Sequence, residues 1–78
     1  MNNHDTGKRI KILTTSLGIS QKKLAQMSGI REASISHYIS GRNEPNSSTI
    51  QKIAATTHVS PSWLMGFGDE NKIDFITD

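Results

Sequence analysis

Glycines at positions 18, 29 and 41 cut the first half of the chain into runs of about ten residues, each with apolar side chains at helical spacing. Glycine readily takes the left-handed conformation that closes a helix, so each run predicts one short helix that stops before the next begins. Period-two alternation of β-branched and aromatic residues, the mark of strands, is missing. The expected class is therefore all-α.

Five helices are expected. The first runs from Asp5 or Thr6 to Ser16, with Ile10, Leu13 and Leu17 on one face and Lys8, Arg9 and Lys11 around the rest. Ser20 is a natural N-cap for a second helix through Met27 or Ser28, with Leu24 and Ala25 inward. A third follows Ile30, carries Ala33, Ile35, Tyr38 and Ile39, and ends at Ser40-Gly41. Asn46, Ser47 and Ser48 can each cap a fourth; Ser48 is favoured because Gln51, three residues on, completes a capping box, and Ile50, Ile53 and Ala54 form its inward stripe. Ser60-Pro61 starts a fifth helix through Trp63, Leu64 and Met65, because proline at the first helical position sacrifices no hydrogen bond. Gly66 and Gly68 close it.

The run from 21 to 42 carries the functional signal. Two helices crossing steeply need a small residue at the crossing, supplied by Ala25, and a glycine in the turn, supplied by Gly29; Leu24, Ile30 and Ile35 fill the wedge. This arrangement turns the first turns of the third helix outward with Arg31, Glu32, Ala33, Ser36 and His37, where a major groove can accept them.

The same run resembles the helix-turn-helix of lambda-repressor-like, or Xre/Cro-type, transcriptional regulators, and the resemblance extends from about Lys8 to Gly66. Pro45 followed by Ile50-Gln51-Lys52-Ile53-Ala54 is similar to their fourth helix, and Val59-Ser60-Pro61-Ser62-Trp63-Leu64-Met65-Gly66 to the segment closing many phage repressor N-terminal domains. The resemblance implies a five-helix DNA-binding domain over 1–68, with the motif at about 21–41, and an acidic tail, linker or dimer arm over 69–78. It implies a repressor or regulator that binds a double-stranded operator as a homodimer on an inverted repeat, with residues 31–40 in the major groove.

Carried over residue by residue, Ser20 and Gln21 stand where the family meets a phosphate, Lys22 and Lys23 flank that point, and Ser40, Arg42 and Asn43 lie in the second backbone-contacting region. Glu32 and Ala33 occupy the deepest positions, and His37 shares their face. Glutamate can accept from a cytosine amino group, alanine can touch a thymine methyl, and histidine can donate to a guanine acceptor. Arg31 departs from the Ser or Thr that caps this helix in many relatives, forgoing about 0.5–2 kcal/mol of capping. Ser28 is polar where a branched aliphatic often packs.

Charge is segregated: residues 1–60 hold eight Lys/Arg against three Asp/Glu, and residues 61–78 hold one against four. A cationic body with an acidic tail suits a polyanionic partner that avoids the C-terminus. With no cysteine, there is no disulfide framework and no Cys-containing zinc site. His4, His37 and His58 fall on different elements without ligand spacing, and no nucleophile elbow, Ser-x-x-Lys arrangement or P-loop is present. No cofactor, metal, small-molecule ligand or catalytic role is expected. Without a membrane-span-length apolar run or a signal-peptide pattern, the expected location is cytoplasmic. An antitoxin-type or anti-regulator module on the same fold is the alternative, motivated by the apolar and acidic tail around Phe75.

Overall fold

A computed structural model of the chain describes residues 4–76; residues 1–3 and 77–78, which fall within the expected domain and tail, lie outside it. Five helices follow in order: α1 (His4–Leu17), α2 (Gln21–Ser28), α3 (Glu32–Ser40), α4 (Ser47–Thr57) and α5 (Pro61–Leu64). None of the described helices is long and apolar enough to cross a membrane. The fully buried side chains Ile10, Leu13, Leu24, Ile35, Ile53, Val59 and Leu64 come from every element and meet, with Trp63, in one core.

Local chemistry explains most boundaries. Ser20 Oγ accepts from Lys23 N at 2.9 Å, and Gly29, at φ 71°, closes α2 by donating its N–H to Ala25 O. A Cβ at Gly29 would meet nothing within 4 Å, so the glycine serves the left-handed backbone and not a tight approach. Thr56 Oγ1 donates to Met27 O at 3.0 Å, so α4 supplies a partner for a carbonyl in the last turn of α2 that has none within its own helix. Ser28, polar where an aliphatic is common, satisfies its hydroxyl by donating to Leu24 O at 2.7 Å.

Five expectations are corrected, four of them local. The cap of α4 is Asn46, whose Oδ1 accepts from Thr49 N at 2.9 Å; Ser47 and Ser48 lie within the helix. With this start Ile50 N bonds Asn46 O, and the inward stripe is the expected one, Ile50, Ile53 and Ala54 being buried, as is Pro45 ahead of the helix. The fifth helix ends at Leu64, with Met65 as its C-cap ahead of the two glycines, and Ser60 precedes it without a side-chain cap, its hydroxyl pairing with that of Ser62. Leu17, expected on the inner face of α1, is 38% exposed, since it is the last helical residue before the chain turns away at Gly18.

Arg9 is the largest departure. Assigned to the solvated side of α1, it is 5% exposed and donates to the carbonyls of Trp63 and Phe67, both at 3.0 Å, and of Gly68 at 2.6 Å. Its guanidinium lies 5.2 Å from the centroid of the Trp63 ring. Beside it, Lys8 pairs with Glu70 at 2.9 Å, and Trp63 Nε1 donates to Asp69 O at 3.0 Å. The acidic segment is thereby tied to α1 and α5. It then runs antiparallel to residues 58–60, with Ser60 N bonding Asp74 O and Ile76 N bonding His58 O, both at 2.8 Å.

His58 closes α4 at φ 60°, the one non-glycine residue with positive φ among those described. An L side chain pays for this conformation where glycine does not. His58→Gly is therefore expected to raise stability by about 0.5–1 kcal/mol, after the greater freedom of glycine in the unfolded chain is deducted, and to raise the melting midpoint by roughly 2–8 °C. A lower midpoint by calorimetry would show that the imidazole contributes more than the backbone strain removes.

Candidate nucleic-acid interface

The turn between α2 and α3 is held from both sides. Ile30 N bonds Ala25 O at 3.1 Å, while Leu24 and Ile35 are fully buried beneath it and Ala25 keeps the helices close. With α3 packed on α1 and α2 through Ile35, its opposite side is left free. Glu32, Ala33 and Ser36 on that side are exposed, as is Arg31 at its head, whereas His37 is half-buried. Arg31 occupies the N-cap position in an extended conformation without a side-chain cap bond, leaving its guanidinium uncommitted to the helix. Among the described residues the one ion pair is Lys8 with Glu70, so Arg31 and Glu32 do not pair with each other.

Around this face lie the residues assigned to phosphates. Lys22, Lys23, Arg42 and Asn43 are exposed, Gln21 is half-buried at the start of α2, and Ser20 is exposed just before it. Ser20 accepts a backbone N–H, so its own hydroxyl hydrogen is still available to an anion. Ser40 differs: its hydroxyl donates to His37 O at 3.1 Å, which uses its single hydrogen inside the protein. Lys22, Gln26, Arg31 and Glu32 also border a shallow concavity between α2 and the head of α3.

The end of α3 links two residues that sequence reasoning treated separately. Arg42 N and Asn43 N both bond His37 O, at 2.9 and 3.3 Å, and Asn43 Nδ2 lies 3.4 Å from His37 Nδ1. Nothing in residue spacing marks this pair, because it depends on how the chain folds back after Gly41.

An exposed helical face about as wide as a helix, flanked by cations, has the shape and charge for a duplex groove: an α-helix is about 10–12 Å across and the major groove about 12 Å wide. A family model described as Helix-turn-helix matches residues 10–64. The restriction-modification controller protein C.AhdI from Aeromonas hydrophila is 27% identical, with a TM-score of 0.75 over 80% of this chain and 94% of that one. The DNA-binding domain of the P22 C2 repressor is 25% identical, with a TM-score of 0.77 over 92% of this chain and 100% of that one. The clp gene regulator ClgR from C. glutamicum, at 17% identity, shares the fold with a TM-score of 0.75 over 83% and 84% of the two chains. No curated protein matches the chain at significant similarity. With the family match covering most of the chain and five helices in the corresponding arrangement, the chain belongs to the helix-turn-helix family, in the lambda-repressor-like form of its DNA-binding transcriptional regulators.

Proposed function

We propose that the chain is a sequence-specific repressor that lays α3 in the major groove of an operator and acts as a dimer on an inverted repeat in the cytoplasm. The observation that carries this reading is the outer face of α3, with Arg31, Glu32, Ala33 and Ser36 exposed and His37 half-buried, near the exposed cations Lys22 and Lys23 of α2 and Arg42 after α3. Glu32 favours base reading over a purely electrostatic role: an acid among phosphates is repelled unless a base donor such as the cytosine amino group meets it.

A dimer is supported by size and by surface. The Cα envelope measures 29 × 27 × 22 Å, so two copies side by side can present their α3 helices to successive grooves about 34–36 Å apart. Ala54, Ala55, Val59, Pro61 and Ile76, together with Gln51 and His58, line a shallow groove of mixed polar and apolar surface, and Phe75 beside Ile76 in the chain is 40% exposed.

Two substitutions separate the roles. Arg42→Ala is expected to weaken binding to all sequences alike and reduce the salt slope by about one ion, whereas Glu32→Ala relaxes preference at one base position. Binding titrations of palindromic and random duplexes at several salt concentrations provide the check. Equal affinity for both duplexes, or a uniform loss in both variants, contradicts the reading.

The exposed Phe75 and Ile76, on an acidic segment, favour a second reading in which a protein partner docks there. Ile76→Asp distinguishes the two: unchanged operator binding with loss of a protein partner supports docking, and loss of dimerisation with weakened operator binding supports the first reading.

A further inference from the structure

We propose that Asn43 sets what His37 reads. Its side-chain amide fixes the imidazole as a hydrogen-bond donor toward DNA, so the pair selects an acceptor edge, guanine first, at one position of the site. This rests on the base-contact reading of α3 given above. The amide nitrogen of asparagine can only donate, and it faces His37 Nδ1 at 3.4 Å. A neutral imidazole that accepts at Nδ1 carries its proton on Nε2, and Nε2–H is then the group it offers outward.

Asn43 is held in place for this task. Its own backbone N–H bonds His37 O at 3.3 Å, Arg42 N bonds the same carbonyl at 2.9 Å, and Ser40 Oγ donates to it at 3.1 Å. The chain after α3 is thus folded back onto His37 by backbone bonds that do not involve the amide, and Gly41, at φ 81°, makes the reversal possible. Guanine presents two acceptors, O6 and N7, on its major-groove edge, whereas cytosine presents an amino donor that faces a second donor unfavourably. Asn43, assigned from sequence to a phosphate, becomes a positioning residue that acts through His37.

The experiment is selection from a random duplex pool with the full chain and the variants His37→Ala, Asn43→Ala and Asn43→Asp at pH 8, together with nitrogen-15 NMR of the free imidazole. His37→Ala is expected to erase preference at one position, and Asn43→Ala to relax that same position by roughly five- to tenfold. Asn43→Asp offers only acceptors, so it draws the proton to Nδ1 and moves the preference from guanine toward a base with an amino donor. NMR should show Nδ1 unprotonated in the parent protein and protonated in Asn43→Asp. If both Asn43 variants lower affinity for all sequences alike and leave that position unchanged, Asn43 is a phosphate contact and the proposal is overturned. A protonated Nδ1 in the parent protein overturns it as well. If His37→Ala changes no position, the base-contact reading of His37 fails, and the proposal with it, an outcome distinguishable from failure at Asn43 alone.

Discussion

Arg9→Ala is expected to destabilise the domain by about 3–4 kcal/mol, out of a total of about 4–12 kcal/mol for a chain of this size, and to lower the melting midpoint by roughly 12–32 °C. The three carbonyls it serves, of Trp63, Phe67 and Gly68, lie where α5 ends and the C-terminal segment begins. A charged donor is worth about 1.5–3 kcal/mol per hydrogen bond, and relief from burying the guanidinium returns part of the sum. Water can reach the partly buried carbonyls of Phe67 and Gly68, so the loss concentrates at Trp63 O, which is buried. Arg9→Lys should recover less than half, because an ammonium on a narrower tip cannot span three acceptors as a planar fork does. Hydrogen exchange should show the 58–60 and 74–76 pairing opening first, since the segment loses its anchor to α1. An Arg9→Ala protein that melts with the parent would mean that the cation contributes nothing net and that Trp63 packing alone holds α5.

Gly7→Ala should destabilise by about 2–4 kcal/mol, against the usual direction of the change. Inside a helix, alanine ordinarily gains up to about 1 kcal/mol over glycine. Here a Cβ would be driven into the carbonyl oxygen of Tyr38 and would stand 2.9 Å from its carbonyl carbon and 3.3 Å from Ile39 Cα. These are backbone atoms of α3 and cannot swing aside as a side-chain tip would, so α1 and α3 must separate and their shared core must open. Gly7→Val should be more severe still. Because α3 carries the face proposed to read DNA, the variant should also lose operator affinity beyond the fraction unfolded. Thermal melts and binding titrations on folded protein test both parts, and a midpoint at or above the parent's would show that the helices have room to spare.

Both effects fall on residues whose importance could not be read from the sequence, and for related reasons. Periodicity reports which side of a helix is apolar, so it placed Ile10, Leu13, Leu24, Ile35, Ile50 and Ile53 inside correctly. An arginine or a glycine in such a pattern counts only as polar or as weak helix. That Arg9 lies under a ring of carbonyls depends on where residues 63–68 arrive, more than fifty positions away. That Gly7 is a contact point depends on the crossing of α1 over α3. The cap of α4 shows the limit on a smaller scale: Asn46, Ser47 and Ser48 have similar capping chemistry, and only the folded backbone places Asn46 Oδ1 on Thr49 N.

For the candidate interface the division is similar. Residue order alone determined that the chain forms short helices with a tight turn at Gly29 and an exposed face on the third, because caps, glycines and apolar spacing act over a few residues. The tertiary structure decided how that face is armed. It used the Ser40 hydroxyl internally, left Arg31 and Glu32 unpaired with each other, and brought Asn43 back onto His37. These outcomes follow from distances between atoms that sequence separation does not set, since a hydrogen bond falls away within a fraction of an ångström while helical periodicity tolerates several.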